Sequence, residues 1–439
     1  MTAKHMDVFR LRDTVVDEYK AFATSFATIG APDLKQKVDA LYRENRFWPE
    51  PLLQINPSYR RETDVQKLVD AGELHPACAS IFCDDKTKEP LTLYQHQKYA
   101  VALANSGASY VVTTGTGSGK SLCFFVPIVS AVLKARATSP GKRTRAVIIY
   151  PMNALANSQM EELEKFVGNV AGPKPVTYER YTGQEETETR KRIADNPPDI
   201  LLTNFMMLEL LMTRQDPVDR QVMENCRGLQ FLVLDELHTY RGRQGADVAL
   251  LVRRVRERLA PDALQCIGTS ATMASQGTTA DKRRVVARVA SKLFATDVPE
   301  NNVVTETLER VTDANLDAIK VKGKLAGAIA KAIPKQVTDE ELKTNPLAIW
   351  VETTLGIRWS EDDKGWVRAR PLSLTEAAAK LSEESGCTVE ACKAALRDFL
   401  LQSSIPEEDR TGKKGANTRA FFAFKLHQFL SGAGNLYGT

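Results

Sequence analysis

Between residues 93 and 294, short runs of consecutive apolar residues alternate with longer stretches whose apolar positions recur every three or four residues. The short runs are Tyr110–Thr113, Ala146–Tyr150, Val176–Tyr181, Ile200–Thr203, Phe231–Leu234 and Leu264–Gly268. Near-continuous apolar runs rich in β-branched residues read as parallel strands covered on both faces. The longer stretches are Ser121–Ala135, Ala156–Val167, Glu185–Ala194, Phe205–Thr213, Gln244–Leu259 and Asp281–Leu293, and they read as helices separating most of those strands. The alternation predicts one α/β domain over residues 91–295, a doubly wound parallel sheet.

The flanks carry a different pattern. Residues 1–90 read as mainly helical, with an aromatic and proline-rich patch at Phe47-Trp48-Pro49-Glu50-Pro51 that is expected to dock on a neighbouring surface. Residues 296–439 also read as mainly helical, and Ile319–Ile333 is amphipathic. Ser373-Leu374-Thr375-Glu376 is a capping box opening a helix to about Glu384; Gly386 breaks it, and Val389–Leu401 forms a second. That pair is expected to be plain accessory packing, with a DNA-reading module as the alternative.

Composition changes this picture little. With 43% hydrophobic residues, 26% charged residues and a net charge of +4, the chain is an ordinary globular one, and so mild a balance permits a nucleic-acid partner without arguing for it. The most apolar stretch, Leu122 to Leu133, is too short to span a bilayer and holds Pro127, so no membrane partner is expected. Met1 to Asp13 lacks the apolar core of a secretion signal. Seven scattered cysteines form no zinc pattern and read as free thiols of a cytoplasmic protein.

Candidate chemistry lies at the ends of the strands. After the run ending at Thr113 comes Thr114-Gly115-Thr116-Gly117-Ser118-Gly119-Lys120-Ser121. Glycines let backbone N–H groups close round a polyphosphate, and the following helix points its positive end at the anion. Lys120 then reaches the β- and γ-phosphates of ATP and the Ser121 hydroxyl ligates Mg²⁺. The strict pattern has glycine where Thr114 stands. Phe231–Leu234 runs directly into Asp235-Glu236-Leu237-His238, placing Asp235 to hold Mg²⁺ through water and Glu236 to deprotonate the attacking water. Ser270-Ala271-Thr272 follows the last strand, and Gln97 precedes the phosphate loop at a distance suited to reading adenine.

Taken in order over residues 93–272, Gln97, the phosphate loop, Tyr150-Pro151-Met152-Asn153-Ala154-Leu155-Ala156, Asp235–His238 and Ser270–Thr272 resemble the first motor lobe of superfamily-2 helicases of the Asp-Glu-x-His class. The resemblance implies a RecA-like lobe in which His238, Ser270 and Thr272 couple nucleotide state to nucleic-acid grip. It implies nucleic-acid contacts at Pro151, Asn153, Thr182, Gly183, Thr203 and Asn204, mostly to phosphates and therefore salt-sensitive and sequence-tolerant. Asn153 departs from the family, which often has Arg or Lys there. His238-Thr239-Tyr240-Arg241-Gly242, and Arg46-Phe47-Trp48-Pro49-Glu50-Pro51-Leu52-Leu53-Gln54, further resemble the large prokaryotic helicases related to the MrfA repair helicase and to those of anti-phage defence systems such as Druantia.

A superfamily-2 motor closes a second lobe, bearing arginines, on its ATP. Residues 273–439 contain no Gln-x-x-Gly-Arg-x-x-Arg pattern and no second alternating series. The chain is therefore expected to be the amino-terminal part of a longer motor, by truncation or gene splitting, with a second RecA-like lobe as partner and weak hydrolysis alone. The expected function is a DNA helicase or translocase serving repair or phage defence. The alternatives are a nucleotide-gated adaptor gripping DNA or protein without turnover, and a P-loop ATPase unrelated to nucleic acid.

Overall fold

The computed structural model describes residues 6–25, 29–43, 47–115, 117–139, 141–260, 263–271, 278–331 and 333–430. The chain forms two compact units, Tyr59–Thr307 and a second made of Met1–Ser58 with Leu308–Thr439.

Within Tyr59–Thr307 the main elements are β1 (Arg61–Asp64), β2 (Thr92–Tyr94), α1 (Gln95–Asn105), β3 (Tyr110–Thr113), α2 (Leu122–Thr138), β4 (Ala146–Tyr150), α3 (Asn153–Val167), β5 (Tyr178–Arg180), α4 (Thr187–Asp195), β6 (Ile200–Asn204), α5 (Phe205–Thr213), α6 (Pro217–Asn225), β7 (Phe231–Leu234), α7 (Gly242–Leu259), β8 (Gln265–Ser270), α8 (Thr279–Phe294) and β9 (Val303–Thr305), with two short helices, Val65–Asp70 and Cys78–Ile81, between β1 and β2. Strands β3 to β9 make one parallel seven-stranded sheet in the order β9-β3-β8-β7-β4-β6-β5. Side chains alternate across a strand, so each strand feeds two cores. Tyr110, Val112, Ile148 and Val233 pack with α1, α2 and α3 on one face. Val111, Ile149, Leu232 and Leu234 pack with α5 to α8 on the other. The parallel α/β class expected from the pattern is the fold observed.

Three details differ from the pattern. The expected strand Val176–Tyr181 is only Tyr178–Arg180, because the Thr177 N–H donates to the Asp199 carboxylate at 2.8 Å and so caps the edge. Edge strand β9, paired with β3 at Val303↔Val111, is too short at three residues to leave a periodic signal. The expected boundaries at 90/91 and 295/296 fall inside Tyr59–Thr307, because the antiparallel β1–β2 pair and β9 belong to that unit.

The second unit is less helical than the pattern suggested. Leu52–Ile55 is the central strand of an antiparallel sheet, between Leu372–Ser373 and Phe424–His427. Ile357–Ser360 and Gly365–Arg368 form a hairpin. The capping box is present: Ser373 caps Leu374–Ser385 with Glu376, and Gly386 at φ +72° ends that helix before Val389–Ser403. Both helices bury Ala378, Leu381, Leu396 and Phe399 in the core of their own unit with Trp350, the plain packing expected. Trp48 is buried against Tyr42 and Phe47, while Arg46 lies outside the described residues. Among the described residues no helix is long and apolar enough to cross a membrane.

Candidate nucleotide and nucleic-acid site

Parallel strands all end at one edge, and the loops leaving β3, β7 and β8 meet there. Gly117 and Gly119 in the loop after β3 have φ of +83° and +68°, a region that costs glycine nothing. A Cβ on Gly119 would stand 2.6 Å from the Gln97 amide nitrogen. That contact is the loop's clamp. Gln97 Nε2 donates to the Gly119 carbonyl at 3.0 Å, its Oε1 accepts from the Tyr94 N–H at 2.8 Å, and His96 Nε2 lies 3.0 Å from the Ser118 carbonyl. Gln97, expected to read adenine, is buried, with both ends of its amide engaged by helix cap and loop. Thr114 and Ser118 join hydroxyls at 2.6 Å, closing the turn. The Gly115 N–H donates to Glu306, just past β9, at 2.8 Å. Ser121 donates to Gln159 at 2.9 Å. Thr116 and Thr272 lie outside the described residues.

The acidic pair sits across β8 from the loop. The Lys120 ammonium is largely buried, has no hydrogen-bond acceptor among the described residues, and meets the Glu236 carboxylate at 3.8 Å. Glu236 itself has φ +52° and ψ +55°, a left-handed conformation that costs a residue with a side chain on the order of 1–3 kcal/mol. Its N–H donates to the Thr269 hydroxyl at 3.1 Å, and Thr269 in turn donates to Asp235. Burial pushes the Asp235 carboxyl above its ordinary range; the Thr269 hydrogen bond opposes this, the Glu236 charge adds to it and Lys120 opposes it. His238 Nδ1 lies 3.2 Å from Glu236 and 3.4 Å from the Ser270 hydroxyl, so one ring nitrogen faces both. Thr269 and Glu306 were not singled out from the sequence. Thr269 ends a buried strand and Glu306 is remote in sequence, and neither leaves a motif.

A second cluster forms where β4, β6 and β5 end. Asn204 donates to the Asn153 side-chain oxygen at 2.7 Å and to the Thr182 carbonyl at 3.2 Å, and caps α5 by accepting from the Met207 N–H at 2.7 Å. The backbone N–H groups of Thr182 and Gly183 converge on the Glu185 carboxylate at 2.7 and 2.9 Å, so this turn holds an anion of its own chain. Pro151 is half-buried beside Asn153. Thr203 is not brought to this surface: it is fully buried and donates to the Tyr181 carbonyl at 2.6 Å.

A glycine-rich loop on one parallel strand, with an acidic pair two strands away, defines a P-loop nucleotide-binding lobe. Residues 94–279 match the family described as DEAD/DEAH box helicase. The chain is similar to the Druantia protein DruE of Escherichia coli, 25% identical over 42% of this chain and 16% of that protein. It is also similar to the ATP-dependent helicases YprA of Bacillus subtilis, 32% identical over 37% of this chain and 20% of that one, and HRQ1 of Saccharomyces cerevisiae, 30% over 42% and 16%. The matches thus span about a fifth or less of these relatives' length. Among solved structures, the DUF1998 helicase MrfA bound to DNA covers 62% of this chain and 34% of its own at 22% identity, with a TM-score of 0.43.

Proposed function

We propose that the domain binds ATP with Mg²⁺ at the loop 114–121 and couples its hydrolysis to movement on nucleic acid, as the first motor lobe of a superfamily-2 helicase or translocase. The observation that carries the reading is the Lys120 ammonium, buried at the mouth of a glycine loop without a hydrogen-bond acceptor among the described residues. A buried cation in that state is stabilised by a polyanion. The Ser121 hydroxyl and the Asp235 carboxylate are the hard oxygen donors that magnesium takes; when bound, the ion neutralises phosphate charge. Glu236, within reach of Lys120 and His238, orients and deprotonates water. His238 and Ser270, sharing one hydrogen-bonding nitrogen, pass the state of that carboxylate toward β8. Gln97 holds the loop in shape.

Asn153, Asn204 and the Thr182–Gly183 turn are the proposed phosphate contacts of a nucleic-acid strand, with Pro151 beside them. DNA is the favoured substrate through the resemblance of His238–Gly242 to repair and defence helicases, and a role in one of those processes follows from the same resemblance. Among the described residues there is one parallel α/β sheet, so the arginines that stabilise transition-state charge are proposed to come from a second lobe. This chain alone is then a poor ATPase. The same observation supports a second reading, a nucleotide-gated adaptor without turnover.

The test is ATP turnover in the presence of the second lobe, with and without single-stranded DNA. The motor reading expects stimulation by DNA, and a loss of roughly 10²–10⁴-fold in Glu236→Gln, as for removal of a general base. Equal turnover in wild type and Glu236→Gln refutes the assignment. Turnover in neither, with DNA binding tightened by a non-hydrolysable ATP analogue, establishes the adaptor.

A further inference from the structure

Helices α7 and α8 together hold ten Lys and Arg against three Asp and Glu, although the whole chain carries a net charge of only +4. They pack against the same sheet face, burying Val248, Leu251, Val255, Val286, Ala290 and Leu293, and leave their charged faces to solvent. Beside those faces runs a groove of about 530 Å³ lined by Arg253, Arg284, Arg288 and Lys292 together with Asp297 and Glu300. The lining sets four cations against two carboxylates, so the groove is net positive.

The cations are also ordered. Arg284, Arg288 and Lys292 recur every four residues, so they stand in one row along α8, each about 6 Å beyond the last by the rise of a helix. Arg284 is already paired with Asp281 at 3.3 Å and Glu300 at 3.1 Å. Among the described residues no carboxylate lies within 4 Å of Arg288 or Lys292. Arg253 is fixed across the groove by the carbonyls of Ala249 at 2.7 Å and Lys292 at 3.2 Å. Two unneutralised cations one helical turn apart, beside an anchored guanidinium, match neighbouring phosphates of one backbone better than a single carboxylate.

We propose that this groove is a second nucleic-acid contact, holding backbone phosphates with Arg288 and Lys292, on elements separate from those that carry Asn153, Thr182 and Asn204. The inference rests on the nucleic-acid function proposed above and extends it. A motor holding its substrate at two places keeps one grip while the other moves, and the contact reads no sequence because phosphates carry none.

The test is equilibrium binding of the full chain to a short DNA duplex and to a single strand over a salt series. Arg288→Glu/Lys292→Glu is compared with wild type, and the neutral pair Arg288→Gln/Lys292→Gln guards against misfolding. Each phosphate contact contributes about 0.9 to the slope of log affinity against log salt on duplex DNA and about 0.7 on a single strand. The expected result in both variants is a slope shallower by about 1.8 on the duplex or by about 1.4 on the single strand, with binding of an ATP analogue unchanged. Wild-type slopes retained on both DNAs overturn the groove alone, and an acidic protein surface as its true partner gives that outcome. Absence of DNA binding by the wild type even at low salt overturns the groove together with the nucleic-acid function itself.

Discussion

Thr269 holds the two acidic residues at once, donating its hydroxyl proton to Asp235 and accepting the N–H of the strained Glu236. Valine has nearly the same shape and can do neither. Thr269→Val therefore leaves a buried carboxylate and a buried N–H short of a partner, which costs about 1–3 kcal/mol. The same change removes the main influence that opposes burial at Asp235, so its already raised pKa climbs further. The sign follows directly. A carboxyl whose folded pKa exceeds its unfolded one holds its proton more tightly when folded, so its contribution to stability is present at low pH and is lost as pH rises through the folded pKa. Magnesium needs the ionised form, so magnesium-dependent nucleotide affinity falls as pH drops toward that pKa. In Thr269→Val the fall begins at higher pH. Titrating nucleotide affinity against pH checks this, and superimposable profiles contradict it. Residues of this kind are hard to find from sequence. Asp235 and Glu236 were legible because they break an apolar run, whereas Thr269 completes one.

At the scale of elements, α1 is the brace of the phosphate loop. Its first turn presents His96 and Gln97 to the carbonyls of Ser118 and Gly119, and Gly119 has no room for a side chain beneath Gln97. Gln97→Ala then loosens the loop itself, and ATP and GTP should weaken together by about fivefold to tenfold, the worth of a hydrogen bond of about 1–1.4 kcal/mol. Competition binding with both nucleotides decides the matter; weakening of ATP alone would restore the adenine-reading role. The parallel strands and their crossover helices were legible because burial on both faces writes itself into consecutive apolar residues. The clamp was not, since it joins side chains to carbonyls 21 and 22 residues away and a lone glutamine leaves the same trace whether it binds base or backbone.

For the whole molecule, Tyr59–Thr307 is inserted into a unit that begins and finishes with other parts of the chain. Leu52 pairs with both Ser373 and His427. Strand pairing across more than 300 residues produces no local pattern, which is why both flanks read as helical. The core of that unit joins Phe9, Leu53 and Ile55 to residues after 308, and the proposed nucleotide site lies wholly within the inserted one. What joins the observations is the buried Lys120 ammonium facing Glu236 across the mouth of the loop. Calorimetric titration of the intact chain with magnesium and a non-hydrolysable ATP analogue measures its role directly. Saturable binding by the wild type, weakened more than roughly tenfold (about 1.4 kcal/mol) in Lys120→Ala, is the expected result. Either no binding by the wild type or equal affinity in the two proteins would contradict it.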